Sequence, residues 1–225
     1  MSHVKNVVKK PWGYEYLAYE NEEVAVWFLH LNHGESTSMH CHPSKTTGLV
    51  CLDGEVIVSF LSNKFPLDPR HKLMIRKGLF HSTKAVSAGG AFVLEIETPV
   101  DKDDLVRFQD SYGRQGKPYE DSSFEFPKTE DCIWIEDPES TKEDNIYVIG
   151  NTKMTVKKID DISYFETLDD NTNLVFLKGG VITEYGIYVS GAGGVASSKV
   201  LKSLIKVFGR LKEDTVVMIM EECDE

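Results

Sequence analysis

The hydrophobic positions of residues 15–99 form short apolar runs that are separated by turn residues. Runs such as EVAVWFLHL, TGLVCL, EVIVSF and AFVLEIE are rich in β-branched and aromatic residues. The turns between them include Asn32–Gly34, Asp53-Gly54, Lys77-Gly78 and Gly89-Gly90, and no helical periodicity intervenes. Many short strands with such turns predict an antiparallel sandwich or barrel. Because both central positions of a type I′ turn need positive φ, Asp53-Gly54 predicts a β-hairpin.

The pattern changes beyond this region and divides the chain into three parts. Polar, charged and proline-containing segments replace the apolar runs between Val100 and Ser140, and β-rich runs resume at Asn145. We therefore predict a barrel with a C-terminal arm over residues 1–120, a linker over 121–144 and a smaller β-rich domain over 145–225.

One segment of the last part, SSKVLKSLIKVFG, has helical periodicity instead. Ser197 or Ser198 is suited to the N-cap and Gly209 to the C-cap. We expect one short amphipathic helix whose apolar stripe packs into the core. The stripe consists of Val200, Leu201, Leu204, Ile205 and Phe208.

Charge and composition exclude several classes of function. The 225 residues carry a formal net charge of −11 and no basic stripe, which argues against a nucleic-acid partner. The N-terminus lacks the apolar segment of a signal peptide, and no run approaches the roughly 18 apolar residues of a membrane span. We expect a cytoplasmic protein that does not associate with membranes. The cysteines lack CxxC spacing and are expected to be buried, reduced hydrophobes: Cys41, Cys51, Cys132 and Cys223.

Three histidines form a candidate metal site. In a strand, residues two apart point to the same face, so His40 and His42 in SMHCH project together while Cys41 faces away. His81 follows the Lys77-Gly78 turn, where the chain can return a strand alongside the first. Three neutral imidazoles suit one divalent transition metal, Zn, Fe, Ni or Mn, and leave coordination positions open.

The spacing around these histidines resembles the two cupin motifs. The first is Gly34-x5-His40-x-His42-x4-Thr47-x6-Gly54, and the second is RKGLFH, in which Arg76 begins the motif and His81 ends it. Cupins usually have Glu at the position of Thr47 and Pro at that of Arg76. Threonine is a poor ligand for these metals, so we predict a three-histidine site. Thr47 shares a strand face with Leu49 and Cys51 and is expected to bind substrate or a metal-bound water instead.

The ends of this region resemble one cupin family. KPWGYEY and DKDDLVRFQDSYGR are similar to the opening and closing segments of the cupin domain of type II phosphomannose isomerases, over roughly Lys10 to Tyr119. The resemblance implies a metal-dependent protein that acts on sugar phosphates in making nucleotide sugars and surface polysaccharides. His40 matches a position that is usually Gln in that family but His in cupins generally. The other matching positions are His42, His81, Glu97, Arg107 and Arg114.

This resemblance implies an aldose–ketose isomerase with a carboxylate base. Glu97 is the candidate base, and it shares its strand face with Glu95, while Phe92, Leu94 and Ile96 share the other face. The expected ligand is a sugar or sugar phosphate, and we expect a homodimer. The cationic side chains near the site are expected to bind the phosphate group. The candidate substrate-binding residues are Thr47, Lys45, Arg76, Glu95, Arg107 and Arg114.

Two other functions remain open at this point. A three-histidine Fe(II) site is also the arrangement of cupin-type thiol dioxygenases, and the missing motif glutamate is compatible with a non-catalytic carbohydrate or metabolite-binding module. The C-terminal half contains no histidine. It is either a degenerate second cupin or a part that serves stabilisation or dimerisation, and we favour the second interpretation.

Overall fold

A computed structural model describes residues 6–101, 103–114, 131–138 and 145–223. The chain divides into two compact units, Met1–Trp134 and Ile135–Glu225. Of the linker predicted over residues 121–144, only 131–138 belong to the described part, and Tyr119 lies outside it.

The first unit consists of two antiparallel sheets. One sheet has six strands in the order β1-β2-β3-β10-β5-β8, and the other has five in the order β11-β4-β9-β6-β7. The strands are β1 (Val7–Lys10), β2 (Gly13–Glu20), β3 (Ala25–Leu31), β4 (Met39–Cys41), β5 (Thr46–Asp53), β6 (Val56–Phe60), β7 (Lys64–Leu67), β8 (Lys72–Ile75), β9 (His81–Ala85), β10 (Ala91–Thr98) and β11 (Val106–Gln109).

The two sheets face each other across one hydrophobic core. Trp27, Leu49 and Val93 of the six-stranded sheet cluster with Val58 and Ala85 of the five-stranded sheet. Alternate residues of a strand point to the same face, so each strand contributes every second side chain to this core. The prediction of a mainly β, cupin-type jelly roll is confirmed.

The Asp53-Gly54 turn differs from its prediction. β5 pairs with β8 and β10, whereas β6 pairs with β7 and β9, so the two strands that flank this turn do not form a hairpin. Gly54 has φ +73°, but Asp53 does not have positive φ, so the turn is not type I′. A Cβ atom on Gly54 would lie 2.4 Å from the carbonyl oxygen of Gly90. The glycine therefore permits a close-packed corner where the chain passes from one sheet to the other.

The second unit is also β-rich. A five-stranded sheet has the order β12-β13-β19-β14-β17, and a three-stranded sheet has the order β16-β15-β18. A 3₁₀ helix, Ile162–Thr167, accompanies them. The strands are β12 (Asn145–Ile149), β13 (Thr152–Ile159), β14 (Asn173–Lys178), β15 (Gly180–Ile182), β16 (Tyr188–Gly191), β17 (Val195–Ser197), β18 (Arg210–Leu211) and β19 (Thr215–Glu222).

The predicted helix is present as α1 (Ser198–Phe208). Ser197 is its N-cap, with the side chain accepting a hydrogen bond from the amide of Val200, and Gly209 ends it in the left-handed conformation. Leu201 and Ile205 are buried in the core of this unit, but Val200 is exposed, so the apolar stripe is narrower than predicted. No helix in the described part of the chain is long and apolar enough to cross a membrane.

Candidate metal centre

Two strands of the five-stranded sheet bring the three histidines together. His40 lies in β4, His42 follows that strand by one residue, and His81 begins β9. His40 and His81 are opposite each other in the antiparallel β4–β9 pair. The ring centroid of His40 is 4.4 Å from that of His81 and 5.1 Å from that of His42, and the centroids of His42 and His81 are 5.7 Å apart. The three rings therefore converge on one point.

Each of the three rings is oriented by a backbone carbonyl. The Nδ1 atom of His42 lies 2.6 Å from the oxygen of Asp104, that of His40 lies 2.8 Å from Ser38, and that of His81 lies 3.0 Å from Leu79. A carbonyl oxygen can only accept, so each Nδ1 is the donor. The Nε2 nitrogens then carry the lone pairs, which is the tautomer that a metal ligand requires.

The remaining ring nitrogens are placed for a metal ion. One nitrogen from each of His40, His42 and His81 lies within 4.8 Å of the other two. The Nε2 atom of His42 is buried and has no hydrogen-bond partner in the described part of the chain. A buried polar atom without a partner is costly, and a metal ion would satisfy it. The residues present thus fit a divalent transition metal, as the sequence predicts.

Two carboxylates lie beside the histidines. The Oε1 atoms of Glu95 and Glu97, both on β10, are 3.8 Å and 3.7 Å from Nε2 of His42. The Nζ atom of Lys45 donates a 2.7 Å hydrogen bond to Oε1 of Glu97, and both side chains of this ion pair are at least nine-tenths buried. Lys45, predicted to bind substrate, therefore contacts the candidate base.

The pKa values of these groups follow from burial and from the mixed charges. Burial lowers the pKa of His40 well below its ordinary value, with the neighbouring imidazoles of His81 and His42 acting in the same direction, and burial also lowers the pKa of His81. Burial opposes protonation of His42 too, but the carboxylates of Glu95 and Glu97 outweigh it and raise its pKa. Burial and the charge of Glu95 raise the pKa of Glu97. The pKa of Glu95 is lowered, because His42 and His81 outweigh its burial.

Asp104 was not identified from the sequence, yet it holds the segment after His42 in place. Its carboxylate accepts hydrogen bonds from the backbone amides of Ser44 and Lys45, at 2.9 Å and 2.8 Å. Its backbone carbonyl is the one that orients His42. The only sequence signal was its place in the DKDDLVR segment, because the partners lie about sixty residues apart.

Thr47 lies at the position where cupins usually have a glutamate. It is 1% exposed, and its hydroxyl oxygen is buried without a hydrogen-bond partner among the described residues. The antiparallel pairing of β5 with β10 puts Glu97 directly opposite Thr47 and Glu95 opposite Leu49. The two glutamates are therefore on the face of the sheet that Thr47 occupies.

A pocket that is partly open to solvent is lined by His40 and His42. Arg107 and Arg114 line it, and the guanidinium of Arg114 is held by the carboxylate of Asp110 at 2.7 Å. Arg76 is exposed on the surface and is not among the lining residues. The lining also includes residues that the sequence did not single out, notably Lys10, Trp12, Glu15 and Trp27.

Lys10 and Glu15 form an ion pair across the β1–β2 hairpin, with 3.3 Å between Nζ and Oε1. Both residues are buried. Charged residues are rarely fully buried unless paired. Their place among the apolar residues of two short strands was the one signal that could have identified them.

Comparisons with known proteins give structural similarity only. No family model matches the chain, and no curated protein matches it. KdgF from Halomonas sp. aligns over 46% of this chain and 95% of its own, at 13% identity and a TM-score of 0.41. A protein with a double-stranded beta-helix domain from Klebsiella pneumoniae aligns over 43% of this chain and 84% of its own, at 13% identity and a TM-score of 0.40.

The capsular polysaccharide assembling protein CapF from Staphylococcus aureus aligns over 46% of this chain and 34% of its own, at 11% identity and a TM-score of 0.43. Such values carry no argument about function. The assignment of the fold rests on the two facing sheets and on the histidines that they bring together. On that basis, the first unit has the two-sheet, jelly-roll type of fold that its sequence predicts.

Proposed function

We propose that this chain is a metal-dependent cupin enzyme of carbohydrate metabolism that interconverts an aldose phosphate and a ketose phosphate. The observation that carries the proposal is the contact between the histidine cluster and a carboxylate pair, with Glu95 and Glu97 less than 4 Å from Nε2 of His42. Isomerisation requires both kinds of group, because the carbonyl must be polarised while a proton moves between neighbouring carbons.

His40, His42 and His81 would hold the metal through their Nε2 atoms. When bound, the ion supplies a Lewis acid that polarises the sugar carbonyl. The hydrogen bonds from the three Nδ1 atoms to backbone carbonyls fix the ring orientations before any ion arrives. The site is thus organised in advance.

Glu97 is the proposed general base. Its carboxylate would take the proton from one sugar carbon and return it to the adjacent carbon, while the hydroxyl proton passes from one sugar oxygen to the other, so that no net proton is gained or lost. Burial raises the pKa of Glu97, which strengthens it as a base, and the ammonium group of Lys45 fixes the position of Oε1. Lys45 thereby acts as a positioning residue in this proposal.

The charges around the pocket favour an anionic substrate. Its lining contains four cationic and three carboxylate side chains, and Arg114 is paired with Asp110, so a bound divalent ion would give the pocket a net positive charge. Arg107 and Arg114 are the proposed phosphate-binding residues, since guanidinium groups make bidentate contacts with phosphate oxygens. A sugar phosphate on the way to a nucleotide sugar or surface polysaccharide has the required charge and carbonyl. The proposed assembly is a homodimer.

Turnover in D₂O tests this function. Purified protein loaded with Zn²⁺, Mn²⁺, Ni²⁺ or Fe²⁺ is incubated with aldose and ketose phosphates, and ¹H NMR follows both interconversion and deuterium incorporation at the two carbons. Proton transfer through a carboxylate predicts deuterium in the product. The Glu97→Gln variant should retain metal and lose turnover by about 100-fold or more. Equal turnover in wild type and variant would contradict the role of Glu97.

A non-catalytic binding module is the second candidate. Two observations favour it. Thr47 replaces the usual motif glutamate, and the ammonium group of Lys45, at 2.7 Å, compensates the negative charge of the Glu97 carboxylate. A sugar phosphate that raises the melting temperature without being converted would support this candidate. Iron in the purified protein together with oxygen uptake would instead support a three-histidine dioxygenase.

A further inference from the structure

The cupin motif of this chain lacks its carboxylate at position 47, but the neighbouring strand has two. Thr47 is buried, its hydroxyl has no partner among the described residues, and a threonine hydroxyl is a weak ligand for transition metals. β10 lies beside β5 and directs Glu95 and Glu97 to the same face as Thr47. A carboxylate is therefore available to the histidine cluster from β10 rather than from β5.

The distances from His42 are compatible with a shared metal ion. Two atoms bound to one ion at about 2.0 to 2.2 Å are roughly 3 to 4.4 Å apart, depending on the angle between them. The Oε1 atoms of Glu95 and Glu97, at 3.8 Å and 3.7 Å from Nε2 of His42, both fall in this interval. The two carboxylates form a group of potential ligands with His42, and His42 also belongs to the three-histidine group. Distance alone does not choose between them.

The two carboxylates differ in their surroundings. Oε1 of Glu97 is already held at 2.7 Å by the buried ammonium group of Lys45. Glu95 makes its one ion pair within the described residues with His42. Both carboxylates thus lie beside His42, but within the described residues only Glu97 is also bound by an ammonium group.

We propose that Glu95 supplies the carboxylate ligand of the metal, in place of the glutamate that the cupin motif would have at position 47. This inference rests on the proposed metal site and assigns different tasks to the two glutamates. Glu95, which lies beside His42, would bind the ion together with the three histidines. Glu97, held by Lys45 next to the ion, stays available for proton transfer.

Metal affinity tests the assignment separately from catalysis. Wild type, Glu95→Gln and Glu97→Gln are stripped with chelator, and their dissociation constants for Zn²⁺ and Co²⁺ are measured by chelator competition. The two variants are matched, since the same isosteric change is made on one strand face, at 3.8 Å and 3.7 Å from Nε2 of His42. We expect Glu95→Gln to weaken binding by about 100-fold or more and Glu97→Gln by less than about tenfold.

The Co²⁺ d–d absorption spectrum gives a second readout, because it reports the number and type of ligands. We expect the spectrum to change in Glu95→Gln and to be retained in Glu97→Gln. Melting temperatures of the metal-free variants verify that both are folded. Wild-type affinity and spectrum in Glu95→Gln, or the larger loss in Glu97→Gln, would overturn the assignment.

These outcomes differ from failure of the proposed function. Absence of turnover in a wild type that binds Zn²⁺ through Glu95 would reject the isomerase and keep the ligand. A wild type that binds neither Zn²⁺ nor Co²⁺ would reject both.

Discussion

The Nδ1 atom of His42 donates a 2.6 Å hydrogen bond to the backbone carbonyl of Asp104, a residue 62 positions further along the chain. This bond determines both the orientation and the tautomer of the imidazole, and so it leaves Nε2 directed at the other two histidines. Asp104 is itself fixed by hydrogen bonds from two backbone amides to its carboxylate. The geometry of the site therefore depends on a residue that does not line the metal position.

Replacing Asp104 by Ala should weaken metal binding without removing a ligand. The backbone carbonyl remains in this variant, but the amides of Ser44 and Lys45 lose their acceptor, so the carbonyl is no longer held under His42. We expect about a tenfold rise in the dissociation constant for Zn²⁺, within the range for partners that orient a ligand. Asp103→Ala is the matched control, because Asp103 is exposed. A similar rise in both variants would rule out this orienting role.

The histidine cluster itself is tested by metal content. His42→Ala removes a buried ligand and should abolish retention of the single ion during gel filtration. His71→Ala should retain it, because the His71 side chain is 61% exposed and its ring lies 3.4 Å from Asp68 rather than near the cluster. Elemental analysis of both variants measures the outcome. Loss of metal in His71→Ala, or full retention in His42→Ala, would remove the assignment of the site.

The sequence predicted this part of the site because strand periodicity is a local rule. Residues two apart share a face, which was enough to pair His40 with His42 and Glu95 with Glu97. The motif spacing then indicated that His81 would return to the first two histidines. What the periodicity could not show is that the two pairs would meet, because that depends on the arrangement of two different sheets.

Long-range polar partners could not be predicted for a related reason. The ion pair between Lys45 and Glu97 joins residues 52 positions apart, and no local pattern specifies it. The Asp53-Gly54 turn shows that a local pattern can also fit two different structures. The dipeptide is typical of a hairpin, but a glycine with positive φ can equally form a corner between two sheets. Only the strand pairing distinguishes these two structures.

That corner makes Gly54→Ala strongly destabilising. An added Cβ atom would lie 2.4 Å from the oxygen of Gly90, in addition to the strain of φ +73°. Gly34→Ala is the control, since Gly34 has φ +77° but nothing within 4 Å of an added Cβ. Conformational strain alone costs about 1 to 2 kcal/mol, which is the expected loss in Gly34→Ala. Urea denaturation should show a clearly larger loss in Gly54→Ala, and equal losses would refute the close approach.

The buried ion pair gives a stability prediction for the metal-free protein. In Lys45→Met the Glu97 carboxylate stays buried without its ammonium partner, and breaking such a pair costs about 3 to 5 kcal/mol. Adding Glu97→Gln removes the orphaned charge and should recover part of this loss. Lys158→Met serves as control, because its pair with Asp214 is exposed to solvent, which screens the attraction, so a much smaller loss is expected. A double variant less stable than Lys45→Met would count against this explanation.

The histidines also predict how the stability of the metal-free protein depends on pH. Burial lowers the pKa of His40 and His81 in the folded state, so on acidification through about pH 6.5 the unfolded chain takes up protons that the folded chain does not. Their contribution to the free energy of unfolding is present above that pH and is lost as the pH falls. His42 has a raised pKa and acts in the opposite direction, with its effect lost as the pH rises through that raised value.

Two histidines, His40 and His81, destabilise the folded metal-free protein on acidification, and only His42 acts in the opposite direction. Because the pKa of His40 is also lowered far, we expect the melting temperature of the metal-free protein to fall between pH 7.5 and pH 5.5. His40→Gln should flatten this dependence, because it removes the imidazole that most resists protonation in the folded state. His42→Gln should steepen it, because it removes the opposing contribution. Differential scanning calorimetry in chelator at both pH values measures the three slopes. A wild-type slope unchanged by His40→Gln would mean that His40 is protonated as readily in the folded chain as in the unfolded one, contrary to its burial against two other imidazoles.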